Sequence, residues 1–288
     1  MRHSVDSAVR AALVEAIPPP WGAYRRHLLV RAWIKLCRCL PPASSYRRLG
    51  IWLRSPLKRL VRGPTDTQLW GLRLRLHPVD NLSESRWLFL PQFTDYAERM
   101  LLTQRLTPGS VFLDIGANAG LYSFWVWSRC GNSVRVEAFE PDPELCRRFA
   151  FNVATNGADS IHINQMALGD TCGTAHLSFG IRNRGTNQIV DDGNAVASIT
   201  VPLTTLHEFV MSHNLNRIDA LKIDVEGREE QILGHFFANT PQHLYPHLLI
   251  CETLGGMPTD NGLALMLRTA GYTTLLRGRM NTVFERSN

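Results

Sequence analysis

The chain has 288 residues, 44% of them hydrophobic and 19% charged, with 31 lysines and arginines against 25 acidic residues and a formal charge of +6. This composition excludes a disordered or collagen-like chain, and at this length one core can bury about three-quarters of the surface that the unfolded chain exposes. The charge is lopsided: residues 1–62 hold 13 basic and 2 acidic side chains (net +11), whereas residues 63–288 hold 18 and 23 (net −5).

At the N-terminus Asp6, Arg10 and Glu15 interrupt any apolar run of the kind a secretory signal needs. Pro18-Pro19-Pro20 separates a short helical segment from a second one. There Leu28, Leu29, Ala32, Trp33, Leu36, Cys37 and Leu40 recur at i, i+1, i+4, i+5, with Arg31, Lys35 and Arg38 opposite, which predicts a basic amphipathic helix ended by Pro41-Pro42. Residues 47–62 repeat the theme with Leu49, Trp52, Leu53, Leu57 and Leu60. Residues 1–67 therefore read as a basic helical extension. Its interleaved tryptophans and leucines suit an anionic membrane surface better than a groove tracking phosphates. The expected partner of residues 24–62 is a membrane face or the protein body, over which the segment would pack as part of a lid; nucleic acid is not expected.

From Gln68 the texture changes, and residues 68–288 read as the catalytic domain. A strand is expected over 69–76 and a helix over 95–106, stopped by Thr107-Pro108-Gly109. Apolar strands over 111–115, 134–139, 161–168, 220–225 and 248–251 then alternate with helices over 120–130, 143–156, 227–238 and 260–270. Such alternation predicts an α/β fold, a mostly parallel sheet with helices on both faces. Residues 173–203 form a β-excursion whose loop carries Arg182, Asn183, Gly185 and Asn187, a candidate lid over the acceptor. Strands over 273–276 and 282–285 close the chain as a hairpin. No stretch of ~18 apolar residues free of charge occurs, so no membrane-spanning helix is expected. Six cysteines without a C-x-x-C pair, and ten histidines without a metal-type pair, argue against a zinc site or disulfide scaffold and suit a reducing cytoplasm.

The most specific motif is Asp114-Ile115-Gly116-Ala117-Asn118-Ala119-Gly120, a strand entering a glycine turn before a helix. Gly116 permits close approach of backbone to ligand, and the helix N-terminus offers free N–H groups to an anion. Glu140, at the end of the second strand, can accept hydrogen bonds from both ribose hydroxyls of an adenosine. A dinucleotide site would want G-x-G-x-x-G, but Asn118 stands at the middle position and no Tyr-x-x-x-Lys pair is present. The acid before the turn suits a positively charged amino group, which favours S-adenosylmethionine over a nicotinamide cofactor. An NAD-dependent oxidoreductase or epimerase is the alternative. The third motif, Lys222-Ile223-Asp224-Val225-Glu226-Gly227, places three ionisable groups on one side of a strand, and Glu252 ends the next strand. Asp224, Glu226 and Glu252 are therefore expected to converge on one crevice at the carboxyl end of the sheet.

Asp-Ile-Gly-Ala-Asn-x-Gly (114–120), Phe-Glu-Pro-Asp-Pro (139–143), Ala-Leu-Gly-Asp (167–170) and Lys-Ile-Asp-Val-Glu-Gly (222–227) occur in an order and spacing that resemble the FkbM family of S-adenosylmethionine-dependent methyltransferases. The likeness covers residues 81–254 and leaves the basic segment outside. It implies a Rossmann-like class I methyltransferase, a seven-stranded sheet whose last strand is antiparallel, and O-methylation of a hydroxyl on a sugar, glycan or other small natural product. It implies that Asp114, Gly116, Ala117, Asn118 and Gly120 line the methionine side of the cofactor, that Glu140 holds the ribose and that Met166 and Ala167 flank the adenine. One departure is His207, where the family often has an acid. Asp224 or Glu226 is the expected general base, with Glu252 orienting the acceptor or helping to hold a divalent cation. An all-oxygen ligand set would favour magnesium over zinc.

Overall fold

The computed structural model describes residues 18–178, 188–190, 198–253 and 262–287. The helix expected before Pro18 and the loop carrying Arg182, Asn183, Gly185 and Asn187 lie outside these residues.

Strands β3 (Val111–Ile115), β4 (Arg135–Phe139), β5 (Ile161–Asn164), β10 (Ala220–Ile223) and β11 (Leu248–Glu252) pair in parallel. The closing hairpin, β12 (Tyr272–Arg277) and β13 (Asn281–Arg286), completes a seven-stranded sheet of order β12-β13-β11-β10-β3-β4-β5, with β13 antiparallel to both neighbours. This is the expected class I methyltransferase architecture. Alternation along each strand feeds two cores. Phe112, Val136, Ala220 and Ile250 pack with Phe124 and Trp125 of α5 (Leu121–Cys130) on one face. Leu113, Leu221 and Leu249 meet Phe209 of α7 (Leu206–Ser212) and Phe236 of α8 (Glu229–Asn239) on the other.

Four elements differ from the sequence expectation. The strand over 69–76 is a hairpin, β1 (Thr65–Leu69) and β2 (Leu72–Leu76), turned by Trp70 and Gly71 at φ 54° and 84°. Such a two-residue turn normally announces itself by Asn-Gly or Asp-Gly; Trp70 continues the apolar alternation and conceals it, and the boundary drawn after residue 67 falls inside β1. The strand over 161–168 divides in two. After β5 the chain turns at Met166, and β6 (Ala167–Gly169) leaves to pair with β9 (Ser198–Thr205) in a second sheet of order β6-β9-β7-β8, where β7 is Gly173–Ser178 and β8 is Gln188–Val190. Two short helices, α3 (Leu82–Phe89) and α7, were not foreseen. Each begins with a side-chain cap three residues before a glutamate: Asn81 accepts from the Glu84 N–H and Thr205 from the Glu208 N–H, both at 3.1 Å. That is half of a capping box and a usable signal.

The basic segment packs on the catalytic body. Helices α1 (Leu28–Arg38) and α2 (Ser44–Leu60) bury Ile34, Cys37 and Leu57 in the same core as Phe112 and Ile250. The expected apolar stripe is split: Leu28, Leu29 and Leu36 of α1 face solvent, 69%, 74% and 56% exposed. Arg38, placed by spacing on the outer face, instead turns inward and donates to the carbonyls of Leu88 (2.8 Å) and Gln68 (2.7 Å). Burial pulls its pKa down to about 10. A buried ion pair secures the chain before α1: Arg75 meets Asp66 at 2.8 Å and donates to the Pro19 and Pro20 carbonyls, while Asp66 accepts the N–H groups of Gly22 and Tyr24. Among the described residues no helix is long and apolar enough to cross a membrane.

Leu57 is fully buried. Leu57→Ala should cost about 2–5 kcal/mol and lower the midpoint of one shared transition, followed by circular dichroism and tryptophan fluorescence in urea. Two separate transitions would mean that α1 and α2 form an independent unit.

Candidate active site

A cavity opens at the carboxyl ends of β3, β4, β10 and β11, where ligands bind in open α/β sheets. The turn after β3 forms its wall. Gly116 and Ala117 both donate to the Phe139 carbonyl, at 3.0 and 2.9 Å. Gly116 has φ +72°, and a Cβ there would collide with the Asp224 carbonyl oxygen, so only glycine fits. Asn118, at φ +55°, donates its N–H to Glu140 Oε2 (2.8 Å), and its side-chain oxygen accepts from Ala119 N (2.8 Å) and Asn81 Nδ2 (2.6 Å).

Glu140 is thereby fixed, since its Oε1 also accepts from the Asp142 N–H at 2.9 Å. Burial pushes its pKa up to about 7 against the pull of these two N–H groups. Each carboxylate oxygen retains a lone pair for a further donor.

The floor of the cavity is charged. Asp114 is fully buried and accepts the Ser123 N–H (3.1 Å) and hydroxyl (2.7 Å) on one oxygen; its other oxygen, Oδ1, has no partner among the described residues. Lys222 lies beside Asp114 in the β10–β3 register, and its Nζ sits 3.1 Å from Asp224 Oδ2 and 5.2 Å from the Tyr122 ring centroid. Burial opposes the Lys222 charge, but Asp224 and Asp114 outweigh it and hold the pKa above the ordinary lysine value. Burial likewise opposes Asp224, whose pKa is nevertheless lowered, chiefly by Lys222. Glu252, within hydrogen-bonding reach of Asp224, goes the other way: burial and then the Asp224 charge push its pKa up. Glu226 is raised by the same two causes.

Oxygens of Asp224, Glu226 and Glu252 lie within 4.8 Å of one another, so the three carboxylates do converge. The reason differs from strand alternation. Strand β10 ends at Ile223, and a turn with Glu226 at φ +56° and Gly227 at φ +100° swings Glu226 over the cavity. Ala117, Met166 and Ala167 line the same cavity, but Gly120 does not. Gly120 sits at φ +77° at the start of α5, pressed against Phe149, whose ring a Cβ would strike; its glycine serves packing. His207 also lies elsewhere, 3.0 Å from the Thr240 hydroxyl.

Sequence reading missed Asp95, Arg86, Arg228 and Asn281, which line the cavity. Asp95 precedes α4 (Tyr96–Arg105) at φ +47°, and burial raises its pKa. Its turn is held by Arg99, which donates to the carbonyls of Thr94 (3.0 Å) and Pro91 (2.6 Å). The Arg99 guanidinium sits 5.4, 4.9 and 4.4 Å from the ring centroids of Trp70, Trp87 and Trp125. No local pattern in the sequence shows those three rings meeting one arginine.

Residues 114–273 match the family model described as the methyltransferase FkbM domain, more than half of the chain. The chain belongs to the FkbM methyltransferase family. This FkbM methyltransferase is 25% identical over 194 residues to methyltransferase sdnD of Sordaria araneosa, covering 56% of this chain and 72% of that one. It is 25% identical over 188 residues to 31-O-demethyl-FK506 methyltransferase FkbM of Streptomyces tacrolimicus, 54% of this chain and 69% of the relative. It is 26% identical over 136 residues to hexuronic acid methyltransferase AglP of Haloferax volcanii, covering 46% of this chain and about half (52%) of that relative. Membership makes the reaction a methyl transfer from S-adenosylmethionine and sets aside the nicotinamide-dependent alternative. Two features of the cavity fit that donor: the unpartnered Asp114 Oδ1, available to an ammonium group, and the Cβ-free cradle at Gly116.

Lys222→Met would leave the buried Asp114, and Asp224 with its side chain 35% exposed, without their cation. Breaking a fully buried pair costs about 3–5 kcal/mol, and solvent at Asp224 brings the expected loss at pH 7 to about 1–3 kcal/mol. Removing the ammonium raises both carboxyl pKa values, so protonation at lower pH relieves the loss. Urea denaturation should show the gap between wild type and variant narrowing from pH 7 to pH 5; a constant gap would contradict this electrostatic account.

Proposed function

We propose that the protein is an O-methyltransferase acting on a hydroxyl of a sugar, glycan or other small natural product. The supporting observation is the juxtaposition, in one cavity, of an ionised Asp224 and a proton-holding Glu252 with the Asp114–Gly116–Glu140 cradle. The names of two relatives, the hexuronic acid and 31-O-demethyl-FK506 methyltransferases, agree with such acceptors. In this reading Asp114 receives the ammonium group of the donor, Glu140 accepts from the ribose hydroxyls, and Met166 and Ala167 flank the adenine. The bound donor supplies an electrophilic methyl group on a sulfonium. The protein's task is then to align the acceptor oxygen, worth about 7–11 kcal/mol where positioning is tight, and to take its proton. Asp224 is the general base: Lys222 keeps it ionised, and Glu252 steadies it through a hydrogen bond. Glu226, less buried, orients the acceptor.

The same three carboxylates offer an all-oxygen set within 4.8 Å that suits a magnesium ion. A cation there would displace the Glu252 proton. Methyl incorporation from labelled donor into a hydroxyl-bearing acceptor panel, with and without chelator, separates the two roles. Asp224→Asn should lower turnover about 10²–10⁴-fold while leaving S-adenosylhomocysteine affinity within a few fold. Unchanged turnover would exclude Asp224 as the base.

Glu140 gives a second test that needs no acceptor. Ribose hydroxyls donate to the ionised carboxylate, so binding favours the charged form. S-adenosylhomocysteine affinity should therefore rise with pH through about 7 and level off above it. Glu140→Gln should flatten that profile and cost about 10–100-fold at pH 8, from the loss of a hydrogen bond to a charged group. By titration calorimetry, a wild-type profile without this rise would refute the ribose assignment.

We also propose that α1 and α2 rest on an anionic membrane face. Leu28, Leu29 and Leu36 of α1 and Leu49, Trp52 and Leu60 of α2 are exposed, beside Arg31, Lys35, Arg48 and Arg59. Trp52→Ala/Leu29→Ala should reduce cosedimentation with phosphatidylglycerol vesicles at least fivefold. Equal binding by variant and wild type would remove the membrane proposal.

A further inference from the structure

We infer that the junction of α2 and α3 is an anion subsite that seats a phosphate or pyrophosphate group of the acceptor beside the methyl-transfer cavity. The inference rests on the reading of that cavity as the site of O-methylation and narrows its substrate class. Arg47, Arg54 and Lys58 recur at i, i+7 and i+11, one stripe of α2, on a different side from the exposed Leu49, Trp52 and Leu60. Arg86, on α3, joins them. Arg86 lines the methyl-transfer cavity, Lys58 lines a second hollow with Val61, Pro78 and Ser85, and Leu82 lines both. Four residues of helix separate Leu82 from Arg86, about 6 Å, so an anion held at Arg86 keeps the rest of its molecule within reach of the cavity.

Among the described residues, none of these four cationic groups makes a hydrogen bond or ion pair with the protein. Arg47, Lys58 and Arg86 are exposed and Arg54 is half-buried, so the cluster is open to a ligand from solvent. The buried arginines elsewhere are already engaged: Arg75 pairs with Asp66, Arg148 with Asp80 and Glu144, and Arg99 donates to carbonyls. The cluster is moreover self-repelling. Burial, then Arg86 and Arg47, push the Arg54 pKa down; burial, then Arg54 and Arg86, do the same to Lys58; and no carboxylate opposes either shift. Four like charges held together without a counter-charge exceed what one carboxylate neutralises. Two or three phosphate-type negative charges match them, and guanidinium forks fit phosphate oxygens bidentately.

The test is calorimetric titration of inorganic pyrophosphate into the full chain saturated with S-adenosylhomocysteine. Wild type should bind. Arg54→Gln/Lys58→Gln and Arg86→Gln should each weaken binding at least tenfold, while Arg31→Gln/Lys35→Gln, which removes the same charge from α1, should stay within twofold. Absence of wild-type binding, or equal weakening in both double variants, overturns the inference. Phosphatidylglycerol vesicles provide the second arm: loss of vesicle binding in Arg54→Gln/Lys58→Gln with pyrophosphate affinity unchanged would assign the cluster to lipid headgroups instead. S-adenosylhomocysteine binding is measured separately, and its absence in wild type would sink the methyltransferase reading whatever pyrophosphate does.

Discussion

The site is organised around one buried ammonium. Lys222 has almost no solvent to hydrate it, yet it stays charged because Asp114, Asp224 and Asp95 surround it and the Tyr122 ring faces it. A buried cation is costly unless it is paired, so these carboxylates cannot be altered independently. The ammonium acts directly on one of two neighbouring acids. Asp224 touches it and is ionised; Glu252, raised first by burial and then by the Asp224 charge, keeps its proton. Two carboxyl groups of similar intrinsic acidity thus become a proton acceptor and a proton holder.

Backbone strain supports this arrangement. Asp95, Asn118 and Glu226, three cavity-lining residues, adopt positive φ without being glycine. Such conformations persist where surroundings over-determine them. Here the surroundings are visible: the Arg99 hydrogen bonds hold the turn before Asp95, Glu140 and Asn81 hold Asn118, and Glu229 Oε1 accepts the N–H groups of Val225 and Gly227 on either side of Glu226. The backbone geometry of the site is thus secured by neighbouring elements of the protein.

Much of this was legible in the sequence because its signals are local. Strand–helix alternation, the glycine turn after Asp114 and the acids ending successive strands follow from residue type and spacing. What escaped depends on tertiary contact. Gly120 resembles a ligand-facing glycine, but Phe149, twenty-nine residues away, makes it necessary. Asp95 enters the cavity only because an arginine caged by three distant tryptophans fixes its turn. The hairpin at Trp70-Gly71 was hidden by an apolar residue where a polar one is usual. The basic segment misled most: periodicity identified its helices but not which side the body would cover.

That covering has a consequence for synthesis. Leu57 packs in one core with Ile250 and Val283, which leave the ribosome much later. At roughly 5–20 residues per second the interval is on the order of 10–40 s. Partners nearer in sequence emerge first: Gln68 and Leu88 accept from Arg38, and Leu90 and Phe93 lie against Gly50, so α1 and α2 cover part of their inner faces while the sheet is still being made.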